Sequence, residues 1–301
     1  MPTDRIFSWQ YRYAPYLFVS PFLLLFGLFG LYPLIKSLIL SFYISEGPKS
    51  LVFVGLDNFR FLLTDPDFHT AVRNTAVFAL FSVFLQLPMS LGLALLLNQP
   101  WLKAREWFRL AFFYPHLVGQ VFVAVLFSVL FIPQFGLLNR ALHALVGLAL
   151  DTKWLADPRL VMPALVLTSL WMYVGFNMIY FLAALQAVDR DLYAAALVDG
   201  ANGWQQFWHV TLPGIIPTVM ILLILRIGRL LSVGYEKIIL LYNPAIYETA
   251  DVISSFVYRK GLQEFNWSYG SAVGMFNSVI NLLLLFMANR VSRKISESSL
   301  W

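Results

Sequence analysis

Two arginines, Arg226 and Arg229, lie inside a long apolar run of the sequence, Gly214–Ile239. An arginine at the centre of a membrane helix costs about 3 kcal/mol or more to insert. Because the two are three residues apart, a helix would place both on one face. The middle of the run carries no acidic residue, and the nearest one along the chain is Glu236. The pair therefore needs a water-filled cavity or polar partners on other helices.

Other apolar runs carry polar side chains, of which Asn177, Asn277 and Asn281 could be such partners. Tyr173 and Asn177 are four residues apart, as are Asn277 and Asn281, so each pair would share one helix face. Aromatic rings such as that of Tyr173 can stack on a sugar while the polar tip makes hydrogen bonds. Two interpretations stay open: the arginines hold helices together, or these residues line a path for an anionic or hydroxyl-rich cargo. The missing acidic partner favours an anionic cargo.

The runs that would carry these residues are separated by a polar stretch, Gln186–Pro213. Asp189 or Asp191 can cap a short helix at its beginning, with the alanines of Tyr193–Leu197 as its body. An aspartate in either place would accept a hydrogen bond from a backbone N–H that the first helical turn leaves free.

The same polar stretch then turns and leads back to the membrane. Asp199 and Gly200 supply the turn, because glycine accepts the left-handed conformation that ends a helix. A second short amphipathic helix is expected over Trp204–Val210, and Pro213 suits the first turn of the helix that follows. The pattern predicts a compact helix–turn–helix on one membrane face, tied to the spans on either side.

The composition places the chain in a membrane. Of its 301 residues, 59% are hydrophobic and 12% are charged, about half the charged fraction of a soluble domain. Six runs are long enough to cross a hydrocarbon core about 30 Å thick. They predict an all-α membrane protein with one transmembrane domain over residues 1–301 and six spans, at about Tyr16–Tyr43, Ala71–Leu97, Phe108–Ile132, Val161–Leu185, Gly214–Ile239 and Gly270–Val291.

An even number of spans puts both termini on the same side. Lys and Arg are denser in the short segments on that side than in the longer loops opposite, which favours cytoplasmic termini. In the opposite loops, Val54–Phe59 with Leu62 and Leu63 predicts a short surface helix, and Tyr247–Tyr258 predicts another. Trp154 suits the membrane interface.

Several classes of function find no support. The chain has no cysteine, its four histidines lack metal-ligand spacing, and its net charge of +5 forms no basic tract for nucleic acid. Gly47–Ser50 reads G-P-K-S but lacks the upstream glycine of a Walker A loop. An ion-driven carrier would show inverted repeats and carboxylates in the middle of the spans, and the sequence shows neither. We therefore expect no catalysis and no metal or cofactor in this chain.

Residues Tyr193–Ala201 read Y-A-A-A-L-V-D-G-A, and Val210–Pro213 read V-T-L-P. They resemble the cytoplasmic loop of permease subunits in binding-protein-dependent ABC importers, usually written E-A-A-x-x-D-G-A followed by I-x-L-P. The resemblance extends to F-V-G-L-D-N-F at Phe53–Phe59, R-N-T at Arg73–Thr75 and G-L-L-N at Gly136–Asn139. It covers nearly the whole chain and looks like the carbohydrate importers, on the side of the maltose-type larger permease without its extra spans and outer domain.

A closer resemblance concerns L-R-I-G at Leu225–Gly228, Y-N-P at Tyr242–Pro244 and Y-E-T-A-D-V-I at Tyr247–Ile253. These look like the subgroup that imports acidic oligosaccharides such as alginate and rhamnogalacturonan fragments. Arg226 matches the subgroup pattern, whereas Arg229 has no clear place in it. The alternative is the same importer architecture for a neutral oligosaccharide or glycerol phosphate.

The resemblance implies a type I importer permease fold in the bacterial inner membrane, with both termini cytoplasmic. It also implies a second permease that forms a heterodimer with this one, two ATPase subunits that hold ATP and Mg²⁺, and a periplasmic sugar-binding protein. The polar stretch would act as a coupling helix seated on an ATPase. By the motif, the residues that couple to the ATPase are Asp191, Ala194, Ala195, Leu197, Asp199, Gly200, Ala201, Leu212 and Pro213.

The sequence departs from the motif at Ala194, where the family has glutamate. If Asp191 is the N-cap, position 194 is the third helical residue, where a glutamate would close a capping box. Alanine can form neither the capping-box hydrogen bond nor an ion pair with the ATPase. Docking should then depend on shape and apolar contact through Leu197 and Ala201.

Overall fold

The computed structural model describes residues 3–47, 50–147, 151–228, 235–241 and 246–296. Helices dominate this part of the chain. The α-helices are α1 (Thr3–Phe26), α2 (Tyr32–Leu40), α3 (Asp57–Thr64), α4 (Pro66–Leu97), α5 (Arg105–Leu117), α6 (Gln120–Leu130), α7 (Leu137–Val146), α8 (Val161–Ala187), α9 (Arg190–Val198), α10 (Gly203–Gln206), α11 (Leu212–Ile227), α12 (Tyr235–Leu241), α13 (Tyr247–Ala250), α14 (Ile253–Val257) and α15 (Trp267–Ser296).

By length and apolar composition, five helices of the described chain can cross a membrane. A sixth crossing results if the bent pair α5 and α6 counts as one span. Four of the five coincide with predicted spans, with ends shifted by a few residues, and Tyr43 lies beyond its helix in a strand. The five are Tyr13–Leu40, Pro66–Leu97, Val161–Ala187, Gly203–Ile227 and Trp267–Lys294.

The predicted third span, Phe108–Ile132, is wrong as a single helix. Its two halves, α5 and α6, meet at 101°. Pro115 removes one backbone donor from the last turn of α5, and Val118 and Gly119 then adopt extended backbone angles, with ψ of 128° and 147°. The chain therefore turns sharply in the middle of its third apolar run.

The predicted fifth span is also displaced. The helix begins at Gly203 and runs through a π-helical segment, Phe207–Thr211, to Ile227. Pro213 therefore lies inside a continuous helix, where its missing N–H and its ring would disturb regular α-helical bonding. The wider π turn just before Pro213, in which the Leu212 N–H bonds the Phe207 carbonyl, accommodates it. Residues 229–234, which include Arg229, lie outside the described chain, and α12 follows them.

The contacts group into two compact units. The first comprises Met1–Thr64 and Val257–Phe276, and the second comprises Asp65–Phe256 and Asn277–Trp301. The single domain expected from the sequence stays a prediction.

In the first unit, a short antiparallel hairpin, Tyr43–Gly47 with Ser50–Phe53, follows α2. The expected helix after it is confirmed as α3. Asn58, on α3, is buried and donates its side-chain amide to the carbonyls of Ser41 and Tyr43, at 2.8 and 2.9 Å. The F-V-G-L-D-N-F motif thus fixes α3 against the beginning of the hairpin.

In the second unit, α8 is the central helix. It packs along α4 and α5, and 61% of its apolar 18-residue segment is buried. Apolar clusters surround it at both ends: Phe78, Leu165 and Ile246 belong to one, and Phe181 and Ile215 belong to another. The residues that α8 carries are therefore held by close packing on several sides.

The expected surface helix Tyr247–Tyr258 is wrong in two respects. It is broken into α13 and α14 at Asp251 and Val252, and its apolar side chains, such as Phe256, are fully buried. The cause is a hydrogen-bonded contact with α4 that the local pattern does not contain.

This contact joins two of the motifs. The Asn74 amide donates to the carbonyls of Glu248 and Asp251, both at 3.1 Å, and Thr75 Oγ1 accepts the Ile253 N–H at 2.9 Å. R-N-T on α4 and Y-E-T-A-D-V-I before α14 are thus two sides of one interface.

Candidate functional site

The side chain of Arg226 lies beside the bend between α5 and α6. Its guanidinium carbon is 5.1 Å from the centre of the Tyr173 ring. The Tyr173 hydroxyl accepts a hydrogen bond from Gln120 Nε2 at 3.3 Å, and Gln120 is the first residue of α6. Helices α11, α8 and α6 thus bring a cation, an aromatic ring and an amide together in the middle of the apolar runs.

An imidazole completes this cluster. The ring of His116, near the end of α5, stacks on Phe176 with centroids 3.9 Å apart and planes inclined by 24°, and it lies 5.6 Å from the Tyr173 ring. Its Nδ1 is shielded from solvent and has no hydrogen-bond partner in the described chain. Sequence reasoning missed His116 and Gln120, because only the bend at Val118 and Gly119 turns them towards α8.

The close approach of α5 to α8 has a specific cause. A Cβ atom added at Gly175 would overlap the backbone carbonyl of Phe112. Glycine therefore lets the two helix backbones touch, and this contact places Phe176, the next residue, against the His116 ring.

Asn177 lies one turn after Tyr173 on α8, as its spacing predicts. It is 4% exposed, and its Nδ2 has no hydrogen-bond partner among the described residues. A buried amide donor without a partner costs free energy, commonly about 1–3 kcal/mol. The geometry is that of a donor held ready for a water molecule or a ligand.

Asn277 and Asn281 share one side of α15, and each has a buried Oδ1 without a partner in the described chain. Leu285, one turn further on the same side, would be 3.3 Å from a Cβ atom added at Gly228, directly after α11. The two asparagines therefore lie on the side of α15 that meets the end of α11. Arg229 lies outside the described residues.

A further cation of the predicted spans is Lys36. It lies on α2, in the other unit, where its side chain is exposed and its Nζ is 5.6 Å from the centre of the Tyr32 ring.

The polar stretch between α8 and α11 forms the expected helix and turn. Asp189 is the N-cap of α9, and its carboxylate accepts the Asp191 N–H at 3.0 Å. Of the two candidate caps, Asp189 is therefore the one used, and Ala194 is not the third helical residue. The interpretation of Ala194 as a lost capping-box position is wrong, because a glutamate there would lie beyond reach of the N-cap backbone.

Gly200 ends α9 in the left-handed region, with φ of +75°. Its N–H bonds the Leu197 carbonyl at 3.1 Å, and the Ala201 N–H bonds the Ala196 carbonyl at 2.9 Å. Next, Asn202 and Gln205 form a reciprocal capping box at 2.8 and 2.9 Å that begins the long helix. The turn is therefore fixed by its own backbone on both sides.

The stretch is also fastened to the spans. The hydroxyls of Tyr193 and Thr211 are 2.9 Å apart and hydrogen-bonded, and this joins α9 to the beginning of α11. A Cβ atom at Gly214 would come within 2.9 Å of Val188, so α11 packs tightly on the end of α8. A displacement of α9 would therefore reach both long helices.

One face of this stretch is apolar and exposed. Leu197 is 64% exposed and Val198 is 88% exposed, and Ala194, Ala195 and Gly200 are exposed beside them. Large apolar side chains held in place on a well-formed helix are typical of a surface that a partner covers. Asp191, Asp199 and Pro213 are also exposed, whereas Ala201 and Leu212 are half-buried.

Comparison with known proteins identifies the group to which this architecture belongs. Residues 104–297 match the family described as binding-protein-dependent transport system inner membrane component. In Bacillus subtilis, Protein LplB is 35% identical over 95% of this chain and 90% of its own length. The polygalacturonan/rhamnogalacturonan transport system permease protein YteP of the same organism is 33% identical, over 97% of this chain and 91% of its own.

One solved structure contains a chain that superposes on this one with a TM-score of 0.89. It is the crystal structure of a bacterial alginate ABC transporter in complex with an alginate pentasaccharide-bound periplasmic protein. The two chains are 33% identical, over 97% of this one and 98% of the other. The all-α importer permease fold is thereby confirmed, and the family consists of transport subunits, not enzymes. The chain belongs to the inner membrane components of binding-protein-dependent transport systems, among the permeases of carbohydrate ABC importers.

Proposed function

We propose that this permease imports an acidic oligosaccharide of the alginate type from the periplasm to the cytoplasm. The observation that carries the proposal is the position of the Arg226 guanidinium, 5.1 Å from the Tyr173 ring centre, at the bend of a broken membrane span. A cation at this depth is expensive unless it meets water, a π face or an anion.

The surroundings of Arg226 suit a uronate residue. A guanidinium binds a carboxylate with charge-assisted hydrogen bonds that are about twice as strong as neutral ones. The rings of Tyr173, Phe176 and His116 offer faces for the sugar ring. Asn177 offers a buried amide donor for a sugar hydroxyl or the second carboxylate oxygen.

The similar proteins support an acidic cargo without agreeing on one. Two transporters of known structure, 33% and 34% identical to this chain, are described for alginate, and YteP is named for polygalacturonan and rhamnogalacturonan. AraP of Bacillus subtilis, 32% identical, is named for arabinooligosaccharides, which are neutral. A neutral oligosaccharide is therefore the second candidate, and the three path asparagines, Asn177, Asn277 and Asn281, would suit it.

We further propose that α9 and the turn at Gly200 form the coupling helix. The exposed Leu197 and Val198 would enter a groove of an ATPase subunit, with contacts from Asp191, Ala194 and Ala195 around them. Asp199, Gly200 and Ala201 would hold the shape of the turn, and Leu212 and Pro213 would connect it to α11. ATP and Mg²⁺ would bind only in the ATPase subunits.

The complete importer would contain this chain, a second permease as heterodimer partner, two ATPase subunits and a periplasmic sugar-binding protein. It would lie in the bacterial inner membrane with both termini of this chain in the cytoplasm. Because the chain has no cysteine, Leu197→Cys and Phe265→Cys can each be the single reactive thiol. In whole cells, a membrane-impermeant maleimide should label the second and spare the first, and the opposite result would reverse the orientation.

The cargo is tested by uptake into vesicles that contain the complete importer. Arg226→Leu should lower uptake of a uronate oligosaccharide about 10-fold or more beyond its effect on a neutral one of equal length, because a charge-assisted bond contributes about 1.5–3 kcal/mol. Lys36→Leu, which removes the exposed cation of α2 in the first unit, is the matched control and should affect both sugars equally. Equal losses for both sugars in Arg226→Leu would make this arginine structural.

A further inference from the structure

A cavity of about 500 Å³ lies beside the proposed coupling helix, within the second unit. Its walls are the end of α4 with the residues after it, the end of α8, α9, and the first turns of the helix that begins at Gly203. Cavities that hold small organic ligands commonly measure about 300–1,000 Å³. The cavity is separate from the Arg226 cluster, and the proposed transport path does not use it.

Polar groups line the cavity. The side-chain amides of Asn98 and Gln99 make no hydrogen bond with any described residue, so they are free to bind a ligand. The Gln206 amide donates to the Ala201 carbonyl at 2.9 Å, which leaves its oxygen as an acceptor. The bonded hydroxyls of Tyr193 and Thr211 add a further polar edge.

Aromatic rings and the absence of charge complete the lining. Trp204 and Phe207 stack with centroids 5.9 Å apart, and the Trp204 side chain is 69% exposed, so a ring face is open to a ligand. The described residues that line the cavity include no Asp, Glu, Lys, Arg or His. Amides, hydroxyls and indole together are the groups that bind sugar hydroxyls and the apolar face of a pyranose.

We propose that this cavity binds a neutral mono- or disaccharide from the cytoplasm and thereby slows the importer. The cavity lining does not include Arg226 or its neighbours, and it has no cation to bind the carboxylate of an acidic cargo. The regulatory part of the inference rests on the proposed role of α9 in coupling, and the cytoplasmic source of the sugar rests on the proposed orientation, whereas binding itself rests on neither.

The effect on transport follows from where the walls belong. Two walls are the ends of the spans α4 and α8. The other two, α9 and the first turns of the helix that begins at Gly203, move if the coupling helix is displaced. A ligand that fits only this arrangement stabilises it relative to any other. At a concentration ten times its dissociation constant, the ligand favours this arrangement about 11-fold, so turnover that requires leaving it falls by up to about 10-fold.

Binding is measured by calorimetry on the complete importer in lipid nanodiscs. The probes are glucose, xylose, cellobiose and trehalose, with cellobiouronic acid as the charged counterpart of cellobiose. We expect saturable binding of at least one neutral sugar and at least 10-fold weaker binding of the uronic acid. Absence of binding by all four neutral sugars, or equal binding of cellobiose and cellobiouronic acid, would overturn the proposal.

Variants place the ligand. Gly203 lines the cavity, and a Cβ atom there meets no atom within 4 Å, so Gly203→Leu should occupy part of the cavity and abolish binding. Gln99→Ala should weaken binding about fivefold through one lost hydrogen bond and leave basal ATP turnover unchanged. Arg226→Leu should bind the neutral sugar as the wild type does. Binding lost in Arg226→Leu and kept in Gly203→Leu would place the sugar in the transport path and refute the site.

The regulatory effect is read from ATP hydrolysis by the same importer. The sugar that binds should lower turnover in the wild type and have no effect on Gly203→Leu. Binding without any change in turnover would disprove the regulation, and it would leave the coupling role of α9 to be judged by its own experiment.

Discussion

Replacement of Gly200 by valine should separate ATP hydrolysis from sugar uptake while the chain remains inserted in the membrane. Gly200 has φ of +75° and ends α9. A Cβ atom added there would meet no atom within 4 Å. The expected damage therefore comes from backbone strain in the turn, not from a clash with neighbours.

The size of the effect follows from the backbone angle. A left-handed conformation costs an L-residue about 1–2 kcal/mol, and β-branched residues adopt it least readily. Because 1.4 kcal/mol is a tenfold change in an equilibrium, the native turn loses a factor of about 5–30 against other arrangements. Asparagine tolerates this conformation, so Gly200→Asn should keep most of the coupling.

The assay measures ATP hydrolysis and sugar uptake in the same proteoliposomes. The number of ATP molecules hydrolysed per sugar should rise in Gly200→Val and stay near the wild-type value in Gly200→Asn. Gly147, the C-cap of α7, has a similar φ of +68° and no atom near its added Cβ. Gly147→Val is therefore the control for the same strain outside the coupling helix.

Two results would refute this reasoning. Wild-type stoichiometry in Gly200→Val would show that the shape of the turn does not transmit the motion. Equal changes in Gly147→Val and Gly200→Val would show a general loss of stability.

Three further predictions concern packing and capping. Gly175→Ala should lower the unfolding temperature of the purified importer and reduce uptake of every sugar, because its Cβ would overlap the Phe112 carbonyl; an unchanged melting curve would contradict the close helix contact. Asn74→Ala should cost about 1–3 kcal/mol by leaving the buried Asp251 carbonyl without this donor, and hydrogen exchange should accelerate in residues 248–253; unchanged exchange there would argue against the interface between the motifs. Ala194→Glu should change helix stability by less than about 0.5 kcal/mol, because Asp189 is the cap and position 194 is exposed; a larger gain in the thermal stability of the isolated permease would reinstate a capping role.

Local patterns in the sequence predicted most helices and the turn that follows α9. Long apolar runs identify α4, α8 and α15 because a helix needs about 20 such residues to cross lipid. The left-handed conformation at Gly200 can be predicted from the residue type, since few other residues adopt φ near +75°. The pairing of Tyr173 with Asn177 follows from helical spacing alone.

Contacts between distant parts of the chain were beyond the sequence. The bend after α5 leaves the apolar pattern unbroken, so His116 and Gln120 could not be placed beside Tyr173. Asp189 and Asp191 are equivalent as candidate caps by residue type, and only the backbone at Asp189 decides between them. The predicted helix Tyr247–Tyr258 is interrupted at Asp251 and Val252, where Asn74 binds backbone carbonyls more than 170 residues away along the chain.

The contact between Gly175 and Phe112 has a mechanical consequence. Two backbones that touch can rock about the point of contact but cannot come closer, so this point acts as a fulcrum for α8. The end of α8 at Ala187 lies about 18 Å from this contact along the helix axis. A tilt of about 10° would swing that end by about 3 Å and scarcely move Tyr173. Any widening of the space beside Arg226 would then come chiefly from α6 and α11, whereas α8 would act as a lever whose end at Ala187 lies next to α9.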